Sequence, residues 1–342
     1  MRLFTRLFRA GAIVAAAVVL LFHPVGSQAK ESYFKGKTIT FLVGFGAGGG
    51  YDSYSRMLAP HFERVLGARV IVQNQPGAGG LRALNRVYRM EGDGLTMTIV
   101  NGTGAGLQQL LSLKAARFDL TKFGYLGIVD HARWIWLVSP KSPINTPADA
   151  LNSSKVLSWG GSGKISGISD GAAMTCAAIN LKCKIVIGYK GSRAAALAVA
   201  QGEMDALYVS ETSADKYVKA QNAKAVATMN RHRSILFPNL PTIFEAMKLN
   251  EEQKWWIDYR ATVETLGRIL VVPPGTKPEI LRELQAATRK ILTDPKVIAD
   301  ANKKRRYIKY IPPGEAMKMV NTVLHGVTVE QKAKIRKVVL GE

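Results

Sequence analysis

"VGFGAGGGYD", Val43 to Asp52, sets five glycines around a single turn. The apolar run before it, Ile39 to Val43, reads as a buried strand and Tyr51 to Leu66 as a helix, so the glycines sit where a strand feeds a helix. Without a Cβ, glycine lets backbone N–H groups approach a ligand closely, and the helix that follows brings the positive end of its dipole to the same place.

The same loop chemistry recurs along the chain. Val70–Gln73 is followed by Pro76-Gly77-Ala78-Gly79-Gly80, and Thr96–Asn101 by Gly102-Thr103-Gly104-Ala105-Gly106. Further on come Gly160-Gly161-Ser162-Gly163 with Ser166 and Gly167, then Lys190-Gly191-Ser192. One such loop is an ordinary tight turn; five facing one crevice would be an anion cradle built from backbone. The remaining strand candidates are Trp134–Val138, Val156–Trp159, Lys184–Tyr189, Ala206–Val209, Ala223–Thr228 and Ile269–Val272, with amphipathic helical stretches between many of them. That alternation predicts α/β layers with mostly parallel sheets, whose strand-to-helix loops gather at the carboxyl edge where ligands bind. Pro60, inside the first helical stretch, should kink the helix or reset its start.

A chain of 342 residues, 47% hydrophobic, can bury one large or two medium cores. The formal net charge of +22 points to an anionic partner: a small acid, a nucleic acid or a membrane surface. Met1 to Arg9 carries three arginines and no acid, and Ala10 to Phe22 is apolar but shorter than the roughly 20 residues of a membrane span. Ser27-Gln28-Ala29 then offers a small-x-small cleavage site, so residues 1–29 read as a signal peptide, with a short membrane anchor as the alternative. Export would deliver the protein to a periplasm or beyond. There, Cys176 and Cys183 either form a disulfide or remain two buried thiols.

Other function classes find less support. Gly44-Phe45-Gly46-Ala47-Gly48-Gly49 fits G-x-G-x-x-G, yet Arg69 to Gln75 lacks the acid that a dinucleotide ribose requires. Neither Ser162 nor Ser166 sits in G-x-S-x-G, and His23, His61, His131, His232 and His325 form no metal-ligand pattern. No catalytic residue, metal or cofactor is expected. The basic run Lys303-Lys304-Arg305-Arg306, with Tyr307 and Tyr310 nearby, reads as a solvated helix end rather than a nucleic-acid patch, because no nucleic-acid-binding motif accompanies it. The positive charge then serves to steer anions or to dock on a partner.

The segments "GKTITFLVGFGAGGGYDSYSRML" (Gly36–Leu58), "VIVQNQPGAGGLRALN" (Val70–Asn85), "LSWGGSGKISG" (Leu157–Gly167), "IVIGYKGSRAAALA" (Ile185–Ala198), "GEMDAL" (Gly202–Leu207) and "NLPTIFEA" (Asn239–Ala246) follow one another in an informative order. In that order they resemble the tripartite tricarboxylate transporter substrate-binding proteins, the Bug or TctC family, from about Phe34 to Met319. The resemblance implies a periplasmic, two-domain Venus-flytrap protein, monomeric, that closes on an organic carboxylate and delivers it to a membrane permease. A ligand sensor feeding a signalling partner, or a secreted enzyme acting on a carboxylate, is the alternative. Carried residue by residue onto this chain, the ligand set is Phe45, Gly46, Ala47, Gly49 and Asp52 from the first loop, Thr103 and Gly104 from the third-strand loop, and Ser162, Gly163, Ser166 and Tyr189 from the second domain. Two departures matter. Gly50-Tyr51-Asp52 stands where many relatives have Gly-Thr-Asp, so Tyr51 would line the pocket or simply start the helix. Val209-Ser210 stands where relatives often have Asp-Asn, which leaves an amino acid's ammonium without a partner and favours a neutral carboxylate, with Ser210 in the site. The prolines at 140, 143 and 147 mark the expected passage into the second domain and Arg231 to Pro241 the return, giving a first domain of residues 30–138 and 231–342 and a second of 139–230.

Overall fold

The backbone groups of the apolar runs are satisfied by ten strands among the described residues, which are 32–131 and 133–342 of the computed structural model. They are β1 (Thr38–Val43), β2 (Arg69–Asn74), β3 (Thr96–Asn101), β4 (Gly124–Ile128), β5 (Trp134–Val138), β6 (Leu157–Gly161), β7 (Cys183–Ile187), β8 (Ala206–Ser210), β9 (Lys224–Thr228) and β10 (Arg268–Val272). The signal peptide expected at residues 1–29 lies outside the described residues.

The strands form two five-stranded sheets, ordered β2-β1-β3-β10-β4 and β7-β6-β8-β5-β9. Four strands of each sheet point one way and the fourth in the order, β10 or β5, points the other. The alternation of strands and helices therefore predicts the dominant direction correctly. Half the pairings are nonetheless antiparallel, because the reversed strand lies inside each sheet rather than at its edge. Both reversed strands follow a change of sheet: β5 enters the second sheet straight after β4, and β10 brings the chain back to the first. Since β5 already belongs to the second sheet, the first change occurs between β4 and β5, ahead of the Pro140 to Pro147 passage expected from the prolines. Those prolines follow β5 and serve locally; Pro147 opens the helix Pro147–Asn152, where its missing N–H costs nothing. The return occupies the stretch between Thr228 and Arg268, within which Arg231 to Pro241 falls.

Every residue of β3, β5, β8 and β10 is buried, as expected of strands covered on both faces. Trp136 and Trp159, both fully buried with ring centroids 5.3 Å apart, fill the interior beside the second sheet. The first helix, Gly50–Leu66, starts directly after the glycine loop and runs through Pro60 as one element, with no reset of its start. Pro60 cannot donate to the Arg56 carbonyl, but both residues face solvent, so water can satisfy that group. Gly67, at φ 66°, ends the helix by donating its N–H to the Glu63 carbonyl.

The Lys303–Arg306 run is a solvated helix end at all but its last position. Lys303 and Lys304 are exposed, but Arg305 pairs with Asp215 at 2.7 Å and Arg306 is buried, donating to the Thr212 carbonyl. The tail after the helix Pro295–Lys303 passes against the start of the helix Glu211–Lys219, which takes Arg306 out of solvent while Arg305 stays exposed. Cys176, near the end of the helix Ile168–Ala178, is disulfide-bonded to Cys183 at the start of β7, with Cα atoms 6.2 Å apart.

Candidate functional site

The glycine loops of the two sheets meet face to face. The Gly46 N–H donates to the Lys190 carbonyl at 2.8 Å and the Gly79 N–H to the Ser162 carbonyl at 3.0 Å. The Asn101 amide donates to the Ser166 carbonyl at 2.7 Å, and Gln108 to that of Ile165, also at 2.7 Å. Between these bonds lies a cleft with a cavity volume of about 40 Å³, lined from the first sheet by Phe45, Gly49, Gly50, Tyr51, Thr103, Gly267 and Arg268. Trp134, Ser162, Ser166, Ile168, Ser192, Val209, Ser210 and Ser213 line it from the second.

Four helices begin at this cleft without a side-chain cap: Gly50–Leu66, Ile168–Ala178, Ser192–Gln201 and Glu211–Lys219. Their first-turn N–H groups and dipoles converge on one space, which makes it favourable for an anion. Ser162 adds a buried hydroxyl with no hydrogen-bond partner among the described residues. The lining contains no Asp or Glu and one cation, Arg268. That guanidinium is buried; Nη1 donates to both carboxylate oxygens of Asp130 at 2.8 and 2.7 Å, and Nη2 donates to Ser210 Oγ at 3.2 Å. It also lies 4.4 Å from the Tyr54 ring centroid and 5.3 Å from that of Tyr51. Burial alone would lower its pKa; Asp130, Tyr54 and Tyr51 more than offset this and hold it charged. Its Nε makes no hydrogen bond among the described residues. Burial also pushes the Tyr51 hydroxyl above its ordinary range, so it stays a neutral phenol.

Behind Trp134 stands a second buried charge cluster. Arg260 lies 5.3 Å from the Trp134 ring and 5.4 Å from the Tyr208 ring, and its Nη2 donates to the Gly167 carbonyl at 2.8 Å. Glu264 and Asp170 flank it at 3.2 and 3.5 Å, and Trp134 stacks on Tyr208 at 5.2 Å. Arg260 is therefore a support for the cleft wall, since it is absent from the lining.

Of the residues singled out in the sequence, Phe45, Gly49, Tyr51, Thr103, Ser162, Ser166 and Ser210 line the cleft. Six others do not. Gly46 is engaged with Lys190, and Gly163 is packed so closely on the Ala78–Gly79 backbone that a Cβ would lie 2.6 Å from it. The Gly104 N–H is taken by the Asn101 side chain, and Ala47 lies outside the lining. Asp52 is buried and builds the loop: its carboxylate accepts from the Gly48 N–H, from Arg56 Nε and from Asn74 Nδ2. Tyr189 lines a neighbouring groove with Pro76, Leu81, Lys164 and Ile187. Sequence reasoning missed Arg268 and Trp134, which open β10 and β5 and so follow no glycine loop. Among the described residues no three His, Cys, Asp or Glu gather as a metal site, and no helix is long and apolar enough to cross a membrane.

Comparison with known proteins agrees with this architecture. A UPF0065 protein of Bordetella pertussis is 28% identical over 82% of this chain and 83% of its own. The periplasmic binding protein BugD superposes with a TM-score of 0.75 at 21% identity, covering 90% of this chain and 98% of BugD. MatC from Rhodopseudomonas palustris, solved with bound malate, gives 0.74 at 20% identity, over 89% of this chain and 99% of MatC. At such identities these two structures establish the fold alone. The model of the tripartite tricarboxylate transporter family receptor, TctC, matches residues 54–307, and the chain belongs to that family.

Proposed function

We propose that the protein is an exported solute receptor that captures an organic carboxylate between two lobes and hands it, unchanged, to the membrane subunits of a tripartite tricarboxylate-type transporter. The lobes correspond to the two sheets, and the chain passes between them after β4 and again before β10. The observation that carries the reading is the cleft lining: four uncapped helix starts and one buried arginine, with no Asp or Glu among the lining residues. A receptor needs no nucleophile or acid–base pair, and the residues around the cleft supply anchoring groups rather than either. The excess of positive charge would raise the local concentration of an anionic solute.

A thermal-shift screen against aliphatic and aromatic carboxylates, amino acids and a nucleic-acid control tests this. At 100 times its dissociation constant a ligand adds about 2.7 kcal/mol, expected to appear as a rise of several degrees. The acid should be recovered intact after the protein is denatured. Silence with every acid and a shift with the nucleic acid would overturn the reading.

A further inference from the structure

We infer that the carboxylate this cleft takes is an aromatic acid, its ring held between the Phe45–Tyr51 pair of one lobe and Trp134 of the other; this rests on the receptor reading above. The Phe45 and Tyr51 rings are stacked, centroids 4.6 Å apart and planes within 18° of parallel, and both line the cleft. Packing fixes the pair, so a bound ring meets a wall whose ordering is already complete. Trp134 is equally fixed by its stack on Tyr208 and by Arg260, and Ile168 and Val209 extend the apolar surface on its side. Flat, apolar walls on both lobes suit a planar apolar body.

The polar groups restrict the rest of the ligand. With no Asp or Glu in the lining, an amino acid's ammonium would be buried without a partner. The charge of Arg268 is already shared with Asp130 through Nη1, so a second carboxylate would meet a largely neutralised pair. A short aliphatic diacid would instead lay its second charge and its hydration against Phe45 and Trp134. One carboxylate at the helix starts and an aromatic body between the walls uses both the anion-favouring and the apolar part of the cleft.

Isothermal titration of the purified protein with benzoate, 4-hydroxybenzoate, malate and adipate is the test. An aromatic acid should bind at least tenfold more tightly than either aliphatic diacid. If malate or adipate binds as tightly as both aromatic acids, the inference is overturned while the carboxylate-receptor reading stands. If none of the four binds, the inference falls, and the carboxylate-receptor reading is decided by the broader thermal screen. Tyr51→Ala, with its melting temperature checked in parallel, should weaken aromatic binding at least tenfold and leave melting within a few degrees. Unchanged aromatic affinity in that variant would also overturn the inference.

Discussion

Glu264 shows how strongly one residue can be shaped by its surroundings. It is fully enclosed with Asp170 and Arg260, so two acids compete for one cation in a place water does not reach. Burial pushes its carboxyl up to about 8; the Asp170 charge adds to this, while Arg260 and a Tyr208 hydroxyl donating at 2.5 Å offset part of it. Its Oε2 makes no hydrogen bond among the described residues, which a neutral carboxyl tolerates better than an ionised one. The unfolded carboxyl titrates near 4.5, so between pH 4.5 and 8 the folded chain holds a proton that the unfolded chain has lost. Stability therefore falls as pH rises through that window. The urea midpoint should decline from pH 5 to pH 8, and Glu264→Gln, which cannot ionise, should flatten that part of the profile. An equal slope in the variant would assign the dependence to another group. Because Glu264 and Arg260 lie behind Trp134, the same variant reports how firmly the cleft wall is held.

At the scale of elements, the helix Ile168–Ala178 is tied at both ends, by its uncapped start at the cleft and by Cys176 bonded to β7. A bridge closing a loop of this size, with a sequence separation of 7, restrains the unfolded chain by about 2–3 kcal/mol. Replacing both cysteines with serine should lower the melting temperature by several degrees while leaving ligand affinity within about twofold, since neither cysteine lines the cleft. A large loss of affinity at unchanged melting would mean that the bridge positions the helix start instead. The elements themselves were largely legible from sequence, because strands covered on both faces are uninterrupted apolar runs and the loops after them announce themselves with glycine. β4 escaped because Gly124 and Gly127 break its apolar pattern. The structure requires both: a Cβ at 124 would lie 2.6 Å from Val272, and Gly127, at φ 131°, sits where the register with β10 shifts. Two residues of the site were hidden for a related reason. Arg268 and Trp134 reach the cleft only because β10 and β5 run against their neighbours, and sheet order is a long-range outcome that no local pattern encodes. Asp52 entered the ligand set only through the resemblance, an acid being out of place in an anion site, and in the structure its carboxylate is engaged by Gly48, Arg56 and Asn74.

For the whole molecule, the proposed function depends on the lobes meeting as they do here, and that contact is made by backbone. Gly163 touches the Ala78–Gly79 peptide beside the Gly79 to Ser162 hydrogen bond, leaving no room for a side chain between the lobes. Gly163 does not have a positive φ, so alanine is compatible with its local conformation, and the clash falls on the opposing loop rather than on the core of either lobe. Gly163→Ala should thus behave as a wedge: melting of the free protein within a few degrees of normal, at least a tenfold loss of affinity for any acid the thermal screen identifies, and no ligand-induced fall in the radius of gyration by small-angle X-ray scattering. Gly314→Ala, where a Cβ meets nothing within 4 Å, supplies the control that should bind and compact normally. If the Gly163 variant binds and compacts like the parent, the loops yield at little cost and the Gly163–Gly79 contact does not govern closure. If it loses both, closure of the lobes and capture of the acid are one event, since the cleft is complete only when residues of both sheets line it.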